Sequence, residues 1–330
     1  MGDPSEPDRP VGFVTSRRYP EGTEDDRLVL DRLVERGVDA RPVVWDDPTV
    51  RWGDLGLAVL RSTWDYHLRY HEFLDWLARV ERATVVLNPP DLVRWNAHKG
   101  YLTELADGGI DVVPTVVVPP GETVGLRRIV GSEGWGRVVL KPAVSASGRG
   151  LLVLGPEDLD RAEPAFRSLV ASEGALVQPF QARVRELGER SLVFVDGAFS
   201  HAVAYPTVLA SPDRSPRPWR PGPDDLARGA AILGRWRPRP LYARIDLLPS
   251  DDGRWRLGEL ELIEPELFFG TDPSAIDRFA GAILERRDRA AGPRAAERRP
   301  TDRSRPPRGP PRAPSRPARR STRGRGRRPT

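Results

Sequence analysis

The chain has 330 residues, with 52 basic and 47 acidic side chains, no cysteine and one methionine. Without cysteine there is no disulfide, thiolate metal site or cysteine nucleophile, and no run approaches the roughly 18 apolar residues of a membrane-spanning helix. Residues 291–330 hold 14 Arg against two acids (+12), so of the net +5 the first 290 residues carry −7, and the basicity is no mark of a nucleic-acid-binding core.

The polar, acidic start MGDPSEPDRP is unlike a secretory leader, so a cytoplasmic protein is expected. An apolar run at 11–16 reads as a strand. A helix follows over 25–35, with Leu28, Val29, Leu33 and Val34 on one face and Gly37 as its stop. Strands are predicted at 40–45, 56–62 and 85–87, and a helix at 70–80 built on Phe73, Leu74, Trp76 and Leu77. This alternation argues a parallel α/β unit. A further helix is expected over 96–106, ended by Gly108-Gly109, and a β run over 111–118. Residues 137–154 read as strand, small-residue loop and strand. A helix around 159–171 precedes a strand at 175–180, and 190–205 is a hairpin turning at Asp196-Gly197. Residues 206–224 are Pro- and Arg-rich and expected to be loop. A helix at 224–234, strands at 242–248 and 254–264, and a helix at 274–287 complete the order. The tail, 291–330, has nine Pro and no Leu, Ile, Val or aromatic, so it is expected to be disordered.

Two features point to chemistry. Only Lys99 and Lys141 are lysines; the other 50 basic residues are Arg. Lys141 ends a strand and enters the loop Pro142–Gly150, whose small residues let backbone N–H groups approach phosphate oxygens while the ammonium supplies a point charge. No GxxxxGK[ST] phosphate loop is present. Asp246 lies in one strand, and Glu259 and Glu261 alternate in the next, on one face and about 7 Å apart. Hard oxygen ligands so placed suit Mg²⁺ with substrate phosphates. The plain alternatives are a hairpin with a surface lysine and a solvated acidic strand edge.

These pieces resemble the ATP-grasp superfamily of carboxylate–amine ligases. The likeness runs over nearly all of residues 11–287 and is nearest to the glutathione-synthetase/RimK-like branch, within it to the O-ureido-serine cyclo-ligase group. It is carried by Leu60-Arg61-Ser62-Thr63-Trp64-Asp65-Tyr66, Arg94-Trp95-Asn96-Ala97-His98-Lys99, Val139-Leu140-Lys141-Pro142, Gln178-Pro179-Phe180, Gly188-Glu189-Arg190-Ser191-Leu192 and Glu259-Leu260-Glu261-Leu262-Ile263-Glu264-Pro265. The fold it implies is an N-terminal parallel α/β domain (1–95) followed by two ATP-grasp subdomains (96–175 and 176–288) clasping ATP, then the tail (289–330).

The resemblance implies roles. Lys99 and Lys141 contact ATP phosphates; the loop bearing Ser145, Ser147, Gly148 and Gly150 covers them. Gln178, Pro179 and Phe180 read adenine, and Glu189 meets the ribose. Asp246, Glu259 and Glu261 hold Mg²⁺, two ions expected and Mn²⁺ an alternative. Arg244, two residues before Asp246, meets a phosphate or acyl-phosphate oxygen as the catalytic arginine. Arg61, Thr63, Trp64, Asp65 and Tyr66, at the carboxyl end of a strand of the first domain, and more weakly His201, are candidates for the acceptor substrate. Asn96 either orients Lys99 or caps its helix, the cap being favoured. The implied reaction forms an acyl phosphate, which an amine then displaces.

One segment departs from the pattern. A Phe-Arg and a Gly-rich stretch expected after His201 are replaced by Tyr205–Arg217, where Arg214 or Arg217 would have to substitute. The main expectation is a ligase for a small amino-acid-like substrate. A RimK-like ligase acting on a protein or peptide, and a nucleotide-binding module without catalysis, are kept beside it. Tail binding to nucleic acid or an acidic partner is the less favoured reading of the arginines, and a homo-oligomer is left open.

Overall fold

In the computed structural model, which describes residues 9–291 except Ser147, Val208 and Pro212, the chain builds three sheets. The first is parallel. It sets β1 (Val11–Thr15), β2 (Ala40–Val44), β3 (Leu57–Ser62) and β4 (Val85–Leu87) in the order β2-β1-β3-β4. All of β1 and β3 is buried, as their unbroken apolar runs require of a sheet covered on both faces. Helix α1 (Glu24–Glu35) starts at a capping box: Asp26 N–H donates to Thr23 Oγ1 and Thr23 N–H returns to Asp26. Helix α2 (Tyr70–Val80) buries Phe73, Trp76 and Leu77 in one cluster with Trp45 and Leu60.

Two short helices, α3 (Pro90–Asn96) and α4 (Tyr101–Asp107), lead to the second sheet. This sheet is antiparallel, with β5 (Val116–Val118), β6 (Val138–Pro142), β7 (Leu152–Leu154) and β8 (Ala175–Pro179) in the order β5-β8-β6-β7. Helices α5 (Leu126–Ser132) and α6 (Leu159–Ala171) cover one face through Ile129, Val130 and Phe166. After the single turn α7 (Val184–Leu187), the third sheet joins β9 (Glu189–Val195), β10 (Ala198–Tyr205), β11 (Arg217–Pro218), β12 (Tyr242–Pro249) and β13 (Trp255–Glu261) in the order β11-β10-β9-β12-β13. Helix α8 (Pro223–Leu233) packs on this sheet. The last helix, α9 (Ser274–Ala291), returns to α1: Phe279 and Ile283 share a cluster with Phe13, Val29, Leu33 and Leu57 of the first sheet's elements.

Several expectations change. The single helix over 96–106 is replaced by α3 and α4, because Lys99 N–H leaves the helical pattern to donate to Ala143 O at 2.8 Å. The first of the two begins earlier than expected, at Pro90, since proline suits the first helical position. The β run over 111–118 shrinks to Val116–Val118; Val113 N–H instead donates to Leu257 O. The strand over 254–264 ends at Glu261, and the 206–224 segment contains the short β11. The tail expectation falls on residues 292–330, outside the described part, as does the expectation for Ser147.

Candidate active site

Antiparallel register builds the acidic wall. Asp246 pairs with Glu259 and Arg244 with Glu261 across β12 and β13, so the four side chains share a face. A bulge follows at Gly258, where a Cβ would come within 2.7 Å of the Leu248 side chain; only glycine fits that approach. The opposite wall comes from β6, β8 and the 143–151 loop. Here Lys141, Ser145, Gly148, Gln178, Pro179 and Phe180 line a cavity of about 220 Å³, with Glu189, Asp246, Glu259 and Glu261 facing them. Its apolar lining includes Val113, Val139, Val184 and Leu248. An apolar slot closing on convergent charges suits a flat base with a phosphate chain. Gln178 turns its side-chain amide away to Thr115 Oγ1 at 2.8 Å. Gly150 is not on the lining; it holds a left-handed turn with φ of 75°.

Lys99 stands where the two walls meet. It is 5 % exposed, donates to Ser145 O at 2.8 Å, and is ion-paired with Glu259. Burial opposes its charge, but Glu259 outweighs that and raises its pKa. Lys141 has no such compensation: burial lowers it to about 8, with Lys99 adding to the drop and Glu259 opposing. Glu261 is pushed up by burial and by the neighbouring Asp246 and Glu259 carboxylates, against Arg244. Arg244 donates to Asp246 at 2.9 Å, pairs with Glu261, and lies 5.4 Å over the Phe268 ring.

The chemistry of this donor set fits a hard divalent cation: three carboxylates on one wall of the cavity that Lys141 also lines. No preassembled group of three such ligands exists among the described residues. The oxygens are drawn instead to Lys99 and Arg244, which offset two of the three negative charges.

A second cavity of about 330 Å³ adjoins the first, sharing Lys99, Ser145, Tyr205, Arg214, Arg244 and Glu259 with it. Its own walls are Trp64, Tyr66, Glu264, Glu266 and Phe268. Arg61, Thr63, Asp65 and His201 line neither cavity. Arg61 is 2 % exposed and held by Asp26 at 2.9 Å and by Pro265 O at 3.1 Å. Thr63 is fully buried. Asp65 accepts from Trp45 Nε1 and pairs with Arg69. His201 bonds Leu267 O at 2.7 Å and Ser200. These four are kept off the cavity lining, while the other two candidates of that segment, Trp64 and Tyr66, line the second cavity. Asn96 neither caps a helix nor meets Lys99: its amide donates to Leu260 O at 2.7 Å and accepts from Leu262 N–H at 2.9 Å, continuing the edge of β13.

In the altered 205–217 segment, Arg214 enters both cavities, 3.6 Å from Glu189 and 4.9 Å from the Tyr205 ring. Arg217 is exposed in β11 and lines neither. Sequence reasoning missed Glu264, Glu266 and Phe268; the available hint was a pair of carboxylates, Glu264 and Glu266, just past the acidic strand.

Known proteins show the same architecture. Residues 11–88 match the family model described as D-cycloserine synthetase DcsG, N-terminal domain. The cycloserine biosynthesis protein DcsG of Streptomyces lavendulae is 32% identical over 276 residues, covering 76% of this chain and 89% of that protein. The crystal structure of D-cycloserine synthetase DcsG superposes with a TM-score of 0.77 at 28% identity, over 84% of this chain and 99% of that one. The D-alanine–D-alanine ligase of Bacillus anthracis, complexed with ATP, shares the fold at 12% identity and a TM-score of 0.60, over 85% of this chain and 98% of its own.

Proposed function

The chain belongs to the DcsG family of ATP-grasp ligases, and from that membership we propose that it joins a carboxylate to an amine of a small amino-acid-like substrate through an acyl phosphate. It is an ATP-dependent ligase forming C–N bonds. The observation that carries the finer reading is the junction of two cavities, one slot-like and one polar, at Lys99, Arg244 and Glu259. In this reading the first takes ATP and the second takes the acid, so the γ-phosphate meets the carboxylate where they join.

A carboxylate oxygen attacks the γ-phosphorus and the bond to ADP breaks. The amine nitrogen then attacks the acyl carbon, phosphate leaves with the C–O electron pair, and the amine's surplus proton passes to solvent. Lys99 and Lys141 hold the phosphate chain, and the backbone N–H groups of Ser145, Ala146 and Gly148 add donors. Asp246, Glu259 and Glu261 would hold Mg²⁺, two ions by the family likeness, and the metal supplies neutralisation of charge on the transferring phosphoryl group. In this reading Arg244 and Arg214 meet acyl-phosphate oxygens, supported by their presence on both cavity linings. These groups work mainly by positioning and charge. Gln178–Phe180 provide the adenine strand and Glu189 the ribose contact. The proposed division is 1–95, 96–175 and 176–288, and the proposed setting is the cytoplasm.

ADP release with Mg-ATP, a panel of amino acids and small carboxylic acids, and hydroxylamine as trap tests this. Substrate-stimulated ADP with a matching hydroxamate, both lost in Lys141→Ala, is expected. Stimulated ADP with no hydroxamate from any acid would reject the acyl phosphate.

A further inference from the structure

The second cavity has an unbalanced charge. Each cation on its lining already has a carboxylate partner: Lys99 has Glu259, Arg244 has Asp246 and Glu261, and Arg214 has Glu189. Glu264 and Glu266 are left over. Among the described residues neither carboxylate forms an ion pair, and neither hydrogen-bonds another residue's side chain. Glu264 is only 9 % exposed and lines the cavity, so its carboxylate is largely withdrawn from water, which makes an uncompensated charge costly. Its backbone is pinned: Trp64 Nε1 donates to Glu264 O at 2.8 Å, and Arg61 to Pro265 O at 3.1 Å. The side chain is therefore presented to the cavity by a fixed frame rather than left there by a mobile loop. Glu266 stands exposed at the mouth, and the rings of Trp64, Tyr66 and Phe268 complete the wall. Aromatic faces next to a buried carboxylate favour a cation.

We propose that Glu264, with Glu266 and the ring faces, is the receptor for a primary ammonium group on the acid substrate, so that this site selects α-amino acids over the same acids lacking nitrogen. The inference rests on the reading of the second cavity as the acid site. The receptor sets orientation: with the ammonium held at Glu264, the substrate's carboxylate is directed toward Lys99 and Arg244, where the cavities join. Burial pushes the Glu264 carboxyl up to about 8, with Lys99 opposing and Glu259 adding, as befits a group waiting for a counter-charge.

The test uses the full chain with Mg²⁺ and a non-hydrolysable ATP analogue. Saturation-transfer NMR measures binding of D- and L-alanine and D- and L-serine against lactate and glycerate, which lack the nitrogen. Wild type, Glu264→Gln and Glu266→Gln are compared, together with ADP release under Mg-ATP. The expected result is amino-acid binding at least about tenfold tighter than hydroxy-acid binding, lost in Glu264→Gln with nucleotide affinity unchanged. A smaller effect is expected for the exposed Glu266. Amino acids that bind through Glu264 without stimulating ADP release would reject the second cavity as the site of the reacting acid and leave the receptor standing. No preference for the nitrogen in wild type, or the same preference in Glu264→Gln, overturns the receptor. So does a loss of Mg-nucleotide affinity in Glu264→Gln equal to its loss of amino-acid affinity, which would make Glu264 a metal ligand.

Discussion

Lys141 is the residue whose environment gives a number to test. Burial brings its ammonium to about 8, without the close carboxylate partner that Lys99 enjoys. A phosphate chain beside it favours the charged form, so nucleotide binding draws on the protonated fraction. That fraction is about three-quarters at pH 7.5 and about 3 % at pH 9.5, so nucleotide affinity should fall about 25-fold across the interval. The sign follows from the shift: the folded-state value is depressed, so the charge needed for binding is lost as pH rises through 8. Titrating a non-hydrolysable ATP analogue at saturating Mg²⁺ over this range measures it, because the nucleotide's own phosphates are already ionised there. Lys141→Arg keeps its charge throughout and should flatten the curve. A wild-type affinity constant to within twofold, or an equal fall in Lys141→Arg, would refute the argument.

Other consequences rest on the second wall. Asn96→Ala leaves Leu260 O and Leu262 N–H, both inside the protein, without their partners, and should lower unfolding stability by roughly 2–4 kcal/mol in a denaturant titration. Asp25 accepts from Leu267 and Phe269 N–H at 3.0 and 3.1 Å, on either side of Phe268, whose φ of 55° is left-handed. Asp25→Ala should therefore raise the KM for the acid substrate in a steady-state ADP assay while leaving nucleotide affinity within about twofold, since Phe268 walls the second cavity and not the first.

The parts legible in the sequence were those with a local rule. Buried strands of the first sheet read as apolar runs, α2 as a repeating apolar face, and the alternation of Glu259 and Glu261 placed both on one face, where the structure has them lining the first cavity with Lys141. What stayed hidden was set by contacts between distant segments. Lys99 breaks its helix for Ala143, 44 positions away in the chain, which no local pattern records. Asn96 satisfies the edge at Leu260 and Leu262, and its place before a helical run suggested a cap only because Asn is a common cap. Arg61 and His201 are residue types that suggest a ligand site, yet Asp26 and Leu267 O occupy them. Glu264 was invisible as a site residue because its importance lies in lacking a partner, and that depends on where every nearby cation has already gone.

In a reaction through an acyl phosphate, the acid's own oxygen ends on phosphate. That transfer is tested most directly by labelling the carboxylate of the stimulating acid with ¹⁸O and analysing the released phosphate by mass spectrometry. An acyl phosphate transfers one labelled oxygen to inorganic phosphate in each turnover, and that is the expected result. Unlabelled phosphate, formed together with the amide product, would show that the carboxylate is not phosphorylated and would contradict the mechanism.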